Sequence, residues 1–188
     1  MTAPRAELVD AEVKWEGGIV RAGVERYRHA DGAIVTRDKV WHPGAVGIIA
    51  LDHEHVWLTR QPREVIGASA SLEIPAGKLD VPGEPPLETA KRELAEEIGK
   101  RAEEWQELMA FFTSPGFSDE RIWLFVATGL SDGPEVEGDE DERIEIVPWP
   151  LARLDDAIAE CEDSKTLIAL LWLAARSRGG PAAPPDRS

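Results

Sequence analysis

The feature that most restricts the fold is a mid-chain segment, Gly77-Lys78-Leu79-Asp80-Val81-Pro82-Gly83-Glu84, running into Pro85-Pro86-Leu87-Glu88-Thr89-Ala90-Lys91-Arg92-Glu93-Leu94-Ala95-Glu96-Glu97-Ile98-Gly99. Pro85 and Pro86 suit a first helical turn, where a missing N–H is harmless, and Gly99 suits the residue that stops a helix. At about 100° per residue, Leu87, Ala90, Leu94 and Ile98 fall on one apolar stripe that can dock on a sheet. Glu93 and Glu97 lie about 40° apart, with Glu96 about 60° to the other side of Glu93. One face therefore anchors the helix while an adjoining face presents three carboxylates. Like charges at i,i+4 destabilise a helix by roughly 0.2–0.5 kcal/mol per pair. Arg92 can offset part of this through Glu96, and a hard dication, which takes oxygen ligands, would offset more. Taken alone, the same acids also read as the solvated face of a surface helix.

The flanking sequence supplies strands. Residues 1–8 read as a flexible lead-in. From Val9 to Val40 short alternating stretches, such as Ile19-Val20-Arg21 and Ala33-Ile34-Val35-Thr36-Arg37, are broken by Gly17-Gly18 and by the hairpin signal Asp31-Gly32. Ala45 to Ala50 is an apolar run suited to a buried strand, with Val56 to Arg60 its hairpin partner. Ser71 to Pro75 reads as a short strand entering a bend at Ala76-Gly77. Glu107 to Phe112, Ile122 to Ala127 and Arg143 to Trp149 read as further strands. Helical patterns run from Pro150-Leu151 through Glu160 and from Thr166 to Arg176, and 177–188 reads as a disordered tail. The pattern is α/β of the α+β type. It predicts a mixed sheet sandwiched by helices, with an antiparallel N-terminal strand region over 9–40, in one domain over 9–176.

Composition narrows the partners. A chain of 188 residues with 43% hydrophobic content suits one ordinary folded domain. A formal charge of −15 repels phosphate backbones and anionic lipid, which argues against nucleic acid or membrane as partner. A free nucleotide can still bind where a dication and a few arginines reverse the sign locally. Cys161 is the only cysteine, which excludes an internal disulfide and fits a reducing cytoplasm. Met1 to Asp10 lacks an apolar leader core, and no run approaches membrane-spanning length.

The central segment closely resembles the Nudix box, a glycine-led loop and helix ending in Arg-Glu-aliphatic-x-Glu-Glu-x-Gly, here Arg92-Glu93-Leu94-Ala95-Glu96-Glu97-Ile98-Gly99. Two departures stand out: six residues rather than five separate Gly77 from Glu84, and Lys100 occupies a usually aliphatic place. Neither removes an acid. His42-Pro43-Gly44-Ala45-Val46, Arg60-Gln61-Pro62-Arg63, Leu72-Glu73-Ile74-Pro75-Ala76-Gly77 and Ser114-Pro115-Gly116-Phe117-Ser118-Asp119-Glu120 resemble the ADP-ribose pyrophosphatase branch, in which a proline follows the box by about fifteen residues, as Pro115 does.

The resemblance implies magnesium-dependent hydrolysis of ADP-ribose to AMP and ribose 5-phosphate, with Mn2+ as a substitute metal. Glu93, Glu97, Glu142 and the backbone carbonyl of Ala76 would hold metal. Glu140 would be the base, with Glu96 and Arg92 completing the catalytic set. Arg63, Arg60, Gly77, Pro115, Gly116 and Ser118 would meet the substrate. The run Gly138-Asp139-Glu140-Asp141-Glu142 reads equally as a solvated acidic loop. Trp15, Tyr27 and Trp41 are candidates both for stacking on a base and for the core. The branch further implies a homodimer whose N-terminal strands cross to the partner. The alternatives are a pyrophosphatase for another nucleoside diphosphate sugar and a non-catalytic ADP-ribose-binding module.

Overall fold

The strand signals near the N-terminus fold locally. In the computed structural model, which describes residues 6–133 and 143–179, β1 (Glu7–Glu16), β2 (Arg21–Arg28) and β3 (Ile34–Trp41) form an antiparallel sheet in that order. The β2–β3 turn uses Gly32 at φ 86°, a left-handed conformation that glycine adopts without strain. Asp31 caps the turn by accepting the Ala33 N–H at 3.0 Å. The described residues fall into two compact units, one drawn from Met1–Gly44 and Phe111–Arg121, the other from Ala45–Ala110 and Ile122–Ser188.

The apolar run becomes β4 (Ala45–Leu51), followed by β5 (His55–Arg63), β6 (Ala68–Glu73) and β7 (Ala76–Lys78). Helix α1 (Pro86–Ile98) precedes β8 (Lys100–Phe112), β9 (Arg121–Asp132) and β10 (Glu145–Pro150), and α2 (Leu154–Glu160) and α3 (Ser164–Ser177) follow. The larger sheet runs β10-β5-β4-β9-β8, with β6 on β5 and β7 on β4. β4 pairs antiparallel with β5 and parallel with β9, so the sheet is mixed.

Residues of β4 alternate between two covered faces, which is why the strand reads as continuous apolar sequence. Val46, Ile48 and Ala50 pack with Phe125 and Ala127 against Ala90, Leu94 and Ile98, the predicted stripe of α1. On the other side Gly47 lies close to Ile74 and Leu124. There Ile74 is tied by its N–H to Thr166 of α3, which also packs on β4 and β6. Leu154, Ala157, Ala169, Leu170 and Leu173 are buried on α2 and α3.

The structure departs from the sequence expectations in a few places. Ala76-Gly77, read as a bend, belongs to the short strand β7, because Gly47 and Ala76 meet in register across β4. β8 starts at Lys100, well before Glu107, since exposed charges at Arg101, Glu103 and Glu104 hide its alternation. Ser177 ends α3 and does not start a tail. Lys100, at the usually aliphatic place, sets its ammonium 4.5 Å from the Trp57 ring centroid and 2.7 Å from Asp132. The ammonium over the ring face is a cation–π contact.

Leu94 is fully buried in this core. Leu94→Ala is expected to lower unfolding free energy by about 2–5 kcal/mol, read by chemical denaturation. A loss below about 1 kcal/mol would mean that the apolar stripe does not anchor α1.

Candidate active site

The segment from Glu73 to Gly77 is held residue by residue. The buried Glu73 carboxylate accepts Arg63 Nε at 2.7 Å and Nη2 at 2.8 Å, and Lys165 Nζ at 2.6 Å. Ile74 donates its N–H to Thr166 Oγ1 at 2.8 Å. Pro75 has no N–H to satisfy, and its carbonyl accepts Ile48 N–H at 2.8 Å. Ala76 donates its N–H to Glu97 Oε2 at 3.0 Å. At Gly77 an added Cβ would stand 1.9 Å from the Glu93 carboxyl carbon. Only glycine lets that carboxylate lie against the strand. Glu93 and Glu97 are thereby both seated on the Ala76-Gly77 backbone.

Arg92 organises the remaining acids. Its Nη1 meets Glu93 at 2.8 Å and Glu96 at 2.9 Å, while Nη2 meets Glu84 at 3.4 Å and Asp80 at 3.6 Å. Four carboxylates share one guanidinium, so the cluster is short of positive charge. Burial first, then the charges of Glu96 and Asp80, push the Glu93 carboxyl up to about 7 despite Arg92. Hard oxygen donors crowded beyond their cation supply fit a hard dication. Among the described residues, no three His, Cys, Asp or Glu side chains form a metal-holding group on their own. Glu140 and Glu142, expected as base and further ligand, lie outside the described residues with the rest of the 138–142 run.

A NUDIX domain model matches residues 41–171. The chain belongs to the Nudix family. It is 40% identical over 148 residues to an ADP-ribose pyrophosphatase of Mycobacterium tuberculosis, covering 78% of this chain and 71% of that one. It is 36% identical over 180 residues to an ADP-ribose pyrophosphatase of Bacillus subtilis, covering 92% and 95%. It is also 40% identical over 171 residues to a methanol dehydrogenase activator of Bacillus methanolicus, covering 89% and 91%. The crystal structure of an ADP compounds hydrolase superposes with a TM-score of 0.79 at 24% identity, covering 95% of this chain and 98% of that one, which shows the shared fold.

Within this Nudix chain, the residues expected at a site are distributed unevenly. Ala76, Gly77, Arg92, Glu93, Glu96 and Glu97 come together on β7 and α1. Arg63 stands at the end of β5, forked onto Glu73 and attracted also by Glu97. Arg60 is engaged elsewhere, by Glu160 and by Glu145 across the β5–β10 pairing. Pro115, Gly116 and Ser118 belong to the first unit, where the Ser114 carbonyl accepts the N–H groups of Phe117 at 3.1 Å and Ser118 at 2.9 Å. In the same unit Tyr27 and Trp41 both donate to the buried Glu25 carboxylate, and Trp15 is exposed. The sequence reading missed Lys165, Thr166 and Asp163. Its one available signal was a charge, Glu73, set between Leu72 and Ile74 in an otherwise buried strand end.

Burial pushes the Glu73 carboxyl up, but Arg63 and Lys165 overrule it and hold the group down at about 2. A folded value below the usual 4.5 means stability that is full above that pH and lost as pH falls toward about 2. Glu73→Gln removes the ionisable group. The stability gap between wild type and Glu73→Gln, on the order of 3 kcal/mol at neutral pH, is expected to narrow steadily below about pH 4.5 in urea titrations. A gap independent of pH would show that Glu73 is not held ionised.

Proposed function

We propose that this chain is a magnesium-dependent hydrolase that cleaves the diphosphate of ADP-ribose to AMP and ribose 5-phosphate. The observation that carries the reading is the pair of α1 carboxylates, Glu93 and Glu97, seated on the Ala76-Gly77 backbone, with Glu93 in a group of acids short of positive charge. Two ADP-ribose pyrophosphatases at 36–40% identity support the substrate.

Glu93, Glu97 and the Ala76 carbonyl would hold Mg2+, or Mn2+ in its place, with Glu142 joining them. Bound there, the ion would acidify water and stabilise charge on the phosphate oxygens. Glu140 would take the proton of the attacking water as its oxygen bonds to one phosphorus and the bridging P–O bond breaks. Arg92 and Glu96 would keep Glu93 in place, since both lie within 2.9 Å of each other and Arg92 within 2.8 Å of Glu93. Arg63 would bind the diphosphate, as guanidinium N–H groups match phosphate oxygens. Arg60 would serve substrate only by leaving Glu160, so Arg63 carries the larger share. Gly77, Pro115, Gly116 and Ser118 would complete the substrate contacts.

Leu8, Val9, Val13, Trp15 and Ile34 stay exposed on the N-terminal sheet, which supports a homodimer built through that sheet. No described helix is long and apolar enough to cross a membrane, and the lone cysteine is buried; both are compatible with a cytoplasmic location. The acidic balance supports a small nucleotide sugar over nucleic acid as partner. The likeness to a methanol dehydrogenase activator favours a second reading, in which the chain raises the activity of a dehydrogenase. Adding the protein to a dehydrogenase assay separates the two.

Glutamine at 97 keeps a carbonyl oxygen for the Ala76 N–H, so Glu97→Gln is expected to fold with an unchanged denaturation midpoint. Its turnover of ADP-ribose, followed by chromatography of AMP and ribose 5-phosphate, should fall at least about 100-fold. Full turnover by the folded variant would refute the metal role. Gly77→Ala forces Glu93 off its seat. Its half-saturating magnesium concentration should rise about tenfold or more, and an unchanged value would separate Gly77 from the metal.

A further inference from the structure

Two surfaces of the α3 first turn converge on the same segment. Lys165 reaches Glu73 Oε2 at 2.6 Å, the oxygen that also accepts Arg63 Nη2 at 2.8 Å. The ammonium is nearly enclosed, with 14% of the side chain exposed, and its second contact is Asp163 at 3.0 Å. Asp163 is itself fixed as the helix cap, accepting Thr166 N–H at 2.9 Å and Thr166 Oγ1 at 2.6 Å. Thr166 Oγ1 in turn accepts the Ile74 N–H at 2.8 Å. One helical turn therefore grips the side chain of Glu73 and the backbone of Ile74, next to Ala76 and Gly77.

We infer that Lys165 is a positioning residue for diphosphate binding, acting through Glu73 on Arg63. This rests on the proposed role of Arg63 at the diphosphate. The fork onto Glu73 uses Nε and Nη2, which fixes the plane of the guanidinium and turns Nη1 away from Glu73. Lys165 adds a second effect. Glu73 divides its negative charge between Arg63 and Lys165, itself paired with Asp163, so less of the Arg63 charge is neutralised than if Glu73 faced Arg63 alone. Without Lys165, Glu73 is matched by Arg63 alone, and that attraction is spent inside the protein. A buried pair with a merely structural role would change stability and leave substrate affinity alone.

The test uses Lys165→Met and Lys165→Arg in the full chain, with ADP-ribose and magnesium. Lys165→Met is expected to raise KM about tenfold with kcat within about twofold, and Lys165→Arg to restore KM. The Arg63 Nε–H resonance in 15N NMR, slow to exchange in wild type, should exchange faster in Lys165→Met. A wild-type KM in folded Lys165→Met overturns the inference. Should the wild type leave ADP-ribose intact, the proposed function falls and the NMR signal alone decides: unchanged exchange in Lys165→Met overturns the positioning role. If Lys165→Met does not fold, Lys165→Gln, which keeps a donor for Glu73, takes its place with the same directions expected.

Discussion

The structure depends on how closely the helix face bearing Glu93 and Glu97 can approach a strand. α1 is drawn onto the sheet by Ala90, Leu94 and Ile98, and that docking brings Glu93 and Glu97 down onto the chain at Ala76-Gly77. The approach is tolerated because Gly77 has no Cβ: any larger residue would occupy the space of the Glu93 carboxyl group. Apolar burial and the carboxylate seat are therefore one constraint viewed from two faces of α1. Loosening the stripe would move the acids, and filling the glycine would lift the helix.

Much of this arrangement is visible in the chain itself. Helix periodicity placed Leu94 inward and Glu93 and Glu97 on an adjoining face, and Gly99 closes α1 at φ 63° with its N–H on Ala95, as a helix stop should. The run at Ala45–Ala50 announced a strand covered on both faces. β7 is not legible in the sequence because three residues carry no period, and its identity comes from pairing with β4. Arg60 and Arg63 could not be ranked from their spacing, since what separates them is the partner each meets, Glu160 for one and Glu73 for the other. Lys165 lies 92 positions from Glu73, and no local pattern joins residues so far apart.

In the second unit, positive charge is allotted unequally to two neighbouring groups of acids. Around Arg92, four carboxylates compete for one cation, and burial leaves Glu93 reluctant to ionise. Around Glu73, two cations meet two carboxylates, and Glu73 stays ionised at low pH. A group short of positive charge attracts a metal ion; a balanced group that presents an arginine can attract an anion. A metal-bound diphosphate has both kinds of charge, and Arg63 is coupled to Glu97 by attraction while forked onto Glu73. The Glu73–Gly77 segment joins the two groups through consecutive residues. The rigidity of five adjacent backbone positions is thus what would hold the cation side and the anion side at a fixed separation.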